Sequence, residues 1–139
     1  MKYLIDTNVW FEVLLKRDRA AEAEEFLRGV RGWEIAISEF AADSVGVILT
    51  GLGKDELYED FISDTLEDTA IMRVHLETDD LRRLLQVRKR YRLDFDDAYQ
   101  YVAAEKHNLT LVSFDADFDR TERGRKTPAD VLKQEPERR

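Results

Sequence analysis

Cysteine is absent from the 139 residues, which excludes disulfides, thiolate metal sites and a cysteine nucleophile, and leaves the cytosol as the expected compartment. Long apolar runs are missing as well. None nears the roughly 18 residues of a membrane span, and Asp6 interrupts the opening Met1-Lys2-Tyr3-Leu4-Ile5 too early for a signal peptide, so a soluble protein is expected. Histidine is scarce. His75 is expected within a strand and His107 at a helix end, which disfavours a nuclease built on a histidine pair. Internal repeats are not evident, and the chain length fits one compact domain with a real core, here read as residues 1–133, followed by a polar, frayed tail from Gln134 to Arg139.

Charge is abundant but unevenly spread. A net charge of −8 argues against a nucleic-acid partner, yet six basic residues and no acid lie between Arg82 and Arg92, and phosphate binding depends on where Lys and Arg stand. A second basic group comprises Arg120, Arg123, Arg125 and Lys126. Seven carboxylates and no base lie between Asp55 and Asp68, so faces of opposite sign are expected. Each cluster taken alone reads equally well as a solvated helix face.

Hydrophobic spacing gives alternating strands and helices. Lys2 to Asp6 reads as a strand, and Asn8 to Lys16 as a helix. A second helix is capped by Asp18, has Phe26 and Leu27 on its inner side, and ends between Gly29 and Gly32. Glu34 to Ser38 reads as the second strand. Glu39 to Leu52 follows as a helix with Phe40, Val47 and Ile48 as its apolar pattern, and the acidic stretch after Lys54 as another. Ala70 to Leu76 is β-like, Thr78 caps the helix that carries the basic run, and Phe95 to His107 is a helix with Ala98, Val102 and Ala103 inward. Thr110 to Phe114 is the clearest strand, and Pro128 suits the first turn of a terminal helix. Parallel neighbours need helical crossovers, so this order predicts an α/β sandwich around a parallel sheet.

Four carboxylates stand where such a sheet would gather them. Asp6 ends the first strand, Glu39 follows the second, Asp97 opens a helix, and Asp115 follows the last. Ligands of open parallel sheets bind at the carboxyl ends of the strands. Like charges brought together there raise one another's pKa unless cations share the site, and oxygen-only ligation selects magnesium or manganese over zinc. Two such ions can clamp a phosphodiester without a protein nucleophile. Singly, each Asp also reads as a helix cap, a dipole partner or a turn residue.

Leu4-Ile5-Asp6-Thr7-Asn8-Val9 resembles the opening of PIN-domain proteins, including VapC-type toxins. Ile37-Ser38-Glu39-Phe40 resembles the second motif of that family, Asp96-Asp97-Ala98 the start of the third, and Leu111-Val112-Ser113-Phe114-Asp115-Ala116-Asp117-Phe118 the fourth. The fourth block, with its Ser-x-Asp-x-x-Phe pattern, is the most specific. The resemblance implies a PIN-like three-layer sandwich, with helices flanking a parallel sheet of four to five strands. It also implies a Mg2+- or Mn2+-dependent endoribonuclease, the toxin of a type II toxin–antitoxin pair with an antitoxin protein as partner, acting as a homodimer on RNA. Catalytic or metal-binding roles fall on Asp6, Asp97 and Asp115, with Asp117 as a helper. The family's second acid would fall on Ser44, so Glu39 or Asp43, four apart on one helix face, supplies it, with Glu39 slightly favoured. Asn8 and Ser113 match the polar neighbours of the first and last Asp. Arg88, Lys89, Arg90 and Arg92 precede the third motif and are expected to hold RNA phosphates, preferably of a single strand or loop. Trp10, Phe11 and Phe26 are candidates for a dimer patch.

Two other readings compete. A catalytically silent PIN fold that only binds RNA or protein fits the displaced second acid. An aspartate-based phosphoryl-transfer domain also sets Asp and magnesium at strand ends, but the Asp-x-Asp of the common phosphatase pattern is replaced by Asp6-Thr7-Asn8.

Overall fold

The computed structural model describes residues 1–134. Strands β1 (Tyr3–Ile5), β2 (Ile35–Ser38), β3 (Met72–Val74) and β4 (Thr110–Val112) form one parallel sheet in the order β3-β2-β1-β4. Leu4 sits opposite Ala36 on one side and Leu111 on the other. Every residue of β1 and β2 is buried, because helices cover both faces of the sheet.

Alternation along the strands divides the core in two. Tyr3, Ile5, Ile35, Ile37 and Val112 pack with side chains of helices α1 (Thr7–Leu14), α2 (Ala20–Gly29), α3 (Glu39–Gly51), α4 (Asp55–Phe61) and α7 (Pro128–Gln134). Leu4, Ala36, Val74 and Leu111 pack on the other face against α5 (Thr78–Tyr91) and α6 (Phe95–His107), where Ala98, Val102 and Ala103 point inward as expected. The result is the three-layer sandwich, with four strands. No helix among the described residues is long and apolar enough to cross a membrane.

Several local expectations change. Asp18 does not cap α2: the cap position is Arg19, and its amide donates instead to Glu12 Oε1 at 2.7 Å. Thr78 is the first residue of α5 rather than its cap, which is Glu77, in a reciprocal box with Asp80. Glu34 is the buried residue of a 3-10 turn ahead of β2, where its carboxylate accepts the Arg31 amide. His75 lies just beyond the shortened β3 and meets Glu77 at 2.8 Å, whereas His107 ends α6. On α3 the buried stripe is Ala41, Ala42, Val45, Gly46 and Leu49, while Val47 and Ile48 face solvent.

Trp10, Phe11 and Phe26 are core residues at 5%, 8% and 0% exposure, so they form no surface patch. Their large rings fill the space between α1, α2 and the sheet, where burial of apolar area stabilises most. Gln134 closes α7, and the rest of the tail, with Pro136, lies outside the described residues.

Candidate functional site

The crevice is built outward from a buried carboxylate. β1 ends at Ile5, and Asp6 turns the chain into α1 as its N-cap, with Oδ1 accepting the Thr7 amide at 2.8 Å. The same oxygen accepts Gln100 Nε2 at 3.0 Å, and Oδ2 accepts the Ser113 hydroxyl at 2.7 Å. Ser113 in turn accepts the Asp115 amide at 2.9 Å and Asn8 Nδ2 at 3.2 Å, while Asn8 Oδ1 accepts the Phe114 amide at 3.2 Å. Ser38, at the end of β2, donates to Gln100 Oε1 at 2.6 Å. This polar chain ties the carboxyl ends of β2, β1 and β4 to α6 and holds Asp6 in one orientation.

Three further acids gather in front of it. Asp94 caps α6 by accepting the Asp97 amide at 3.0 Å, which places Asp97 in the first turn. Asp115 caps a 3-10 turn, Ala116–Arg120, by accepting the Asp117 amide at 2.8 Å. One carboxylate oxygen from each of Asp97, Asp115 and Asp117 lies within 4.8 Å of the others. Burial, the charges of Asp115 and Asp94, a hydrogen bond shared with Asp115 and the charge of Asp6 push Asp97 up to about 8. Burial also raises Asp6, against the opposing pull of its Ser113, Gln100 and Thr7 hydrogen bonds. Near neutral pH, then, Asp97 keeps a proton that a cation would displace. An all-carboxylate donor set of this spacing can hold a hard divalent ion.

A model of the PIN domain family matches residues 3–124. The chain belongs to the PIN domain family. Solved structures agree with the fold: a toxin–antitoxin complex from Klebsiella pneumoniae is 23% identical with a TM-score of 0.73, covering 91% of this chain and 98% of that one. VapC20 from Mycobacterium tuberculosis, described as a sarcin-ricin loop cleaving toxin, is 16% identical with a TM-score of 0.73, covering 85% and 93%. FitAcB from Neisseria gonorrhoeae is 19% identical with a TM-score of 0.72, covering 91% and 98%. Sequence comparison with curated proteins finds no match.

Within this PIN domain the two candidates for the second acid point to different places. Glu39 Oε1 meets Arg73 Nη1 of β3 at 3.5 Å, whereas Asp43, one turn further along α3, lines the crevice with Asp6 and Asp97. Arg88, Lys89 and Arg90 form the exposed last turn of α5, and Arg92 ends that helix in the left-handed region at φ 56°. Arg120 fastens this end of α5 to the acids. Its guanidinium donates to the carbonyls of Tyr91 at 3.1 Å and Arg92 at 2.8 Å and to Asp117 Oδ1 at 3.0 Å.

Two residues at the crevice escape a reading of sequence alone. Gln100 left one signal, its place three residues after Asp97 and so on the same helix face. Arg17 left none, since it stands outside both basic clusters; the turn between α1 and α2 brings it to the crevice wall.

Proposed function

We propose that this PIN domain, spanning residues 1–133, is a metal-dependent endoribonuclease and the toxin of a type II toxin–antitoxin pair. The observation that carries the reading is the convergence of Asp97, Asp115 and Asp117 in front of the buried Asp6. Mg2+ or Mn2+ held by Asp6, Asp97 and Asp115, with Asp117 beside the last two and Asp43 lining the crevice with Asp6 and Asp97, would supply an activated water and stabilise the departing oxygen. The chain's own residues do the rest. Ser113, Asn8 and Gln100 fix the Asp6 carboxylate, and Asp97 releases its proton when a cation arrives. Arg88, Lys89, Arg90 and Arg92 offset the acidic field for RNA phosphates. Asp43 replaces Glu39 as our choice of second acid, because Glu39 is engaged by Arg73.

An antitoxin partner is proposed from the toxin–antitoxin complex among the structural relatives, and an RNA substrate from the described activity of VapC20. The cytosol remains the proposed compartment. Homodimerisation would use exposed apolar residues such as Leu81 and Leu85, one turn apart on α5; a single-chain mass by light scattering would remove this part.

The decisive assay is cleavage of single-stranded RNA with Mn2+ by the chain and by Asp6→Asn and Asp97→Asn. Cleavage that EDTA abolishes and both substitutions remove is expected. Equal degradation by all three proteins would assign the activity to a contaminant, and binding without any cleavage would favour the catalytically silent reading.

A further inference from the structure

Acids are only part of the crevice lining. Its volume is about 660 Å³, and beside Asp43 on α3 it is lined by the apolar Phe40, Val47 and Ile48, with Phe11 of α1. A phosphodiester backbone has no use for such a wall. Val47 is nevertheless 70% and Ile48 44% exposed, although Val45 and Leu49 on the same helix are fully buried. Phe40 also anchors an aromatic group at the lip, with Tyr99 at 5.2 Å and Phe95 at 5.8 Å between ring centroids, and Phe95 is 45% exposed. Large flat side chains left in water beside a charged centre suit a flat apolar ligand.

A cation stands at the same wall. Lys16 adopts φ 51°, which turns the chain sharply between α1 and α2 and brings Arg17 to the crevice. The Arg17 guanidinium lies 5.8 Å from the Phe11 ring and makes no ion pair among the described residues. Two residues on, Arg19 lies 4.8 Å over the ring of Phe114, the neighbour of Asp115. A guanidinium without an ion pair at the rim of this crevice fits a phosphate, two of whose oxygens it can grip through two parallel N–H groups.

We infer that Phe40, Val47 and Ile48, with Arg17 at the rim, form a subsite for the nucleotide next to the cleaved phosphate of single-stranded RNA. This rests on the nuclease reading above and adds to it where the base and its flanking phosphate lie. The base packs on the apolar wall against Phe40, and Arg17 takes the phosphate. A base held in a duplex cannot reach that wall, so the subsite selects unpaired RNA. The contribution is to substrate binding and to the choice of cleavage position. A protein helix is the other occupant to consider, but an apolar helix face laid on this wall would take the Arg17 guanidinium out of water with no counter-charge.

The test measures binding of a fluorescein-labelled single-stranded RNA by anisotropy with Ca2+ in place of Mn2+, then steady-state cleavage with Mn2+, then solution mass. The variants are Arg17→Gln, Arg17→Lys, Phe40→Leu and Val47→Ser, all at half-buried or exposed positions. Phe40→Leu and Arg17→Gln should each weaken binding by about 5- to 50-fold. They should raise KM by a similar factor, move kcat by less than about threefold and redistribute the cut positions. Arg17→Lys should recover most of the affinity, and a duplex of the same sequence should not compete. Unchanged affinity, KM and cut pattern, with the parent chain cleaving normally, would overturn the subsite and leave the nuclease reading standing. Ring-dependent binding without any Mn2+-dependent cleavage would do the reverse. A parent chain that neither binds nor cleaves would remove both, and a changed solution mass with unaltered RNA binding would assign the wall to a protein contact.

Discussion

Asp97 holds its proton at a pH where an ordinary aspartate has lost it, and this has a definite sign for stability. The folded carboxyl titrates at about 8 against 3.8 for the free group. Between those values the native state binds the extra proton, so the stability of the metal-free protein falls as pH rises from about 4 to about 8 and levels off above. Thermal melting from pH 5 to 9 should show this decline, and Asp97→Asn should flatten it and raise Tm at pH 8 by about 3–6 °C. An unchanged slope in the variant would locate the titrating proton elsewhere. Saturating Mn2+ should reverse the trend, because the ion competes with the proton and binds only the folded state. The convergence of Asp6, Asp97 and Asp115 was legible in the sequence, because strand ends in a parallel sheet converge, but the pairing of Glu39 with Arg73 was not. Gln100 and Arg17 were not. One gains its meaning only by lying between Ser38 and Asp6, and the other only through the left-handed turn at Lys16.

At the scale of elements, the boundaries of α3 and α6 follow from spacing and caps, but the buried face of α3 does not. Phe40, Val47 and Ile48 suggest the inner side by their spacing, yet the helix turns Ala41, Ala42, Val45, Gly46 and Leu49 inward. Close packing explains the inversion, since small side chains let a helix approach its neighbours. Gly46 is the tightest point, where a Cβ would stand 2.8 Å from the Tyr58 ring of α4. Gly46→Ala should therefore destabilise the protein by about 1–3 kcal/mol in urea unfolding. In a Tyr58→Ala background the same change should stabilise by roughly 0.5–1 kcal/mol, as helix propensity alone predicts. The same sign in both backgrounds would show that the ring is not what excludes the methyl group. The misassigned caps at Asp18 and Thr78 have a simpler origin: Glu12 and Glu77 reach the free amides first.

For the whole molecule, the net charge of −8 hides a segregation, because the acidic α4 and the basic end of α5 lie on opposite faces of the sheet. The acidic α4 packs in the layer of α1 and α3, whereas the basic end of α5 packs with α6 and is fastened by Arg120 to the loop carrying Asp117. Part of that basic turn also complements the C-terminal end of its own helix. Replacing Arg88, Lys89 and Arg90 by Glu should weaken single-stranded RNA binding and flatten the slope of log affinity on log salt by about 2. An unchanged slope would leave these cations as helix-end and solvent-facing charges.

β1 lies between β2 and β4, so the first strand to be made receives its second neighbour only when the last strand has left the ribosome. Asp6 is released early, Asp97 and Asp115 late. The acids therefore stay apart until the segment carrying β4 and Asp115 has been made and has paired with β1, so the crevice is a late product of folding and not of its first strand.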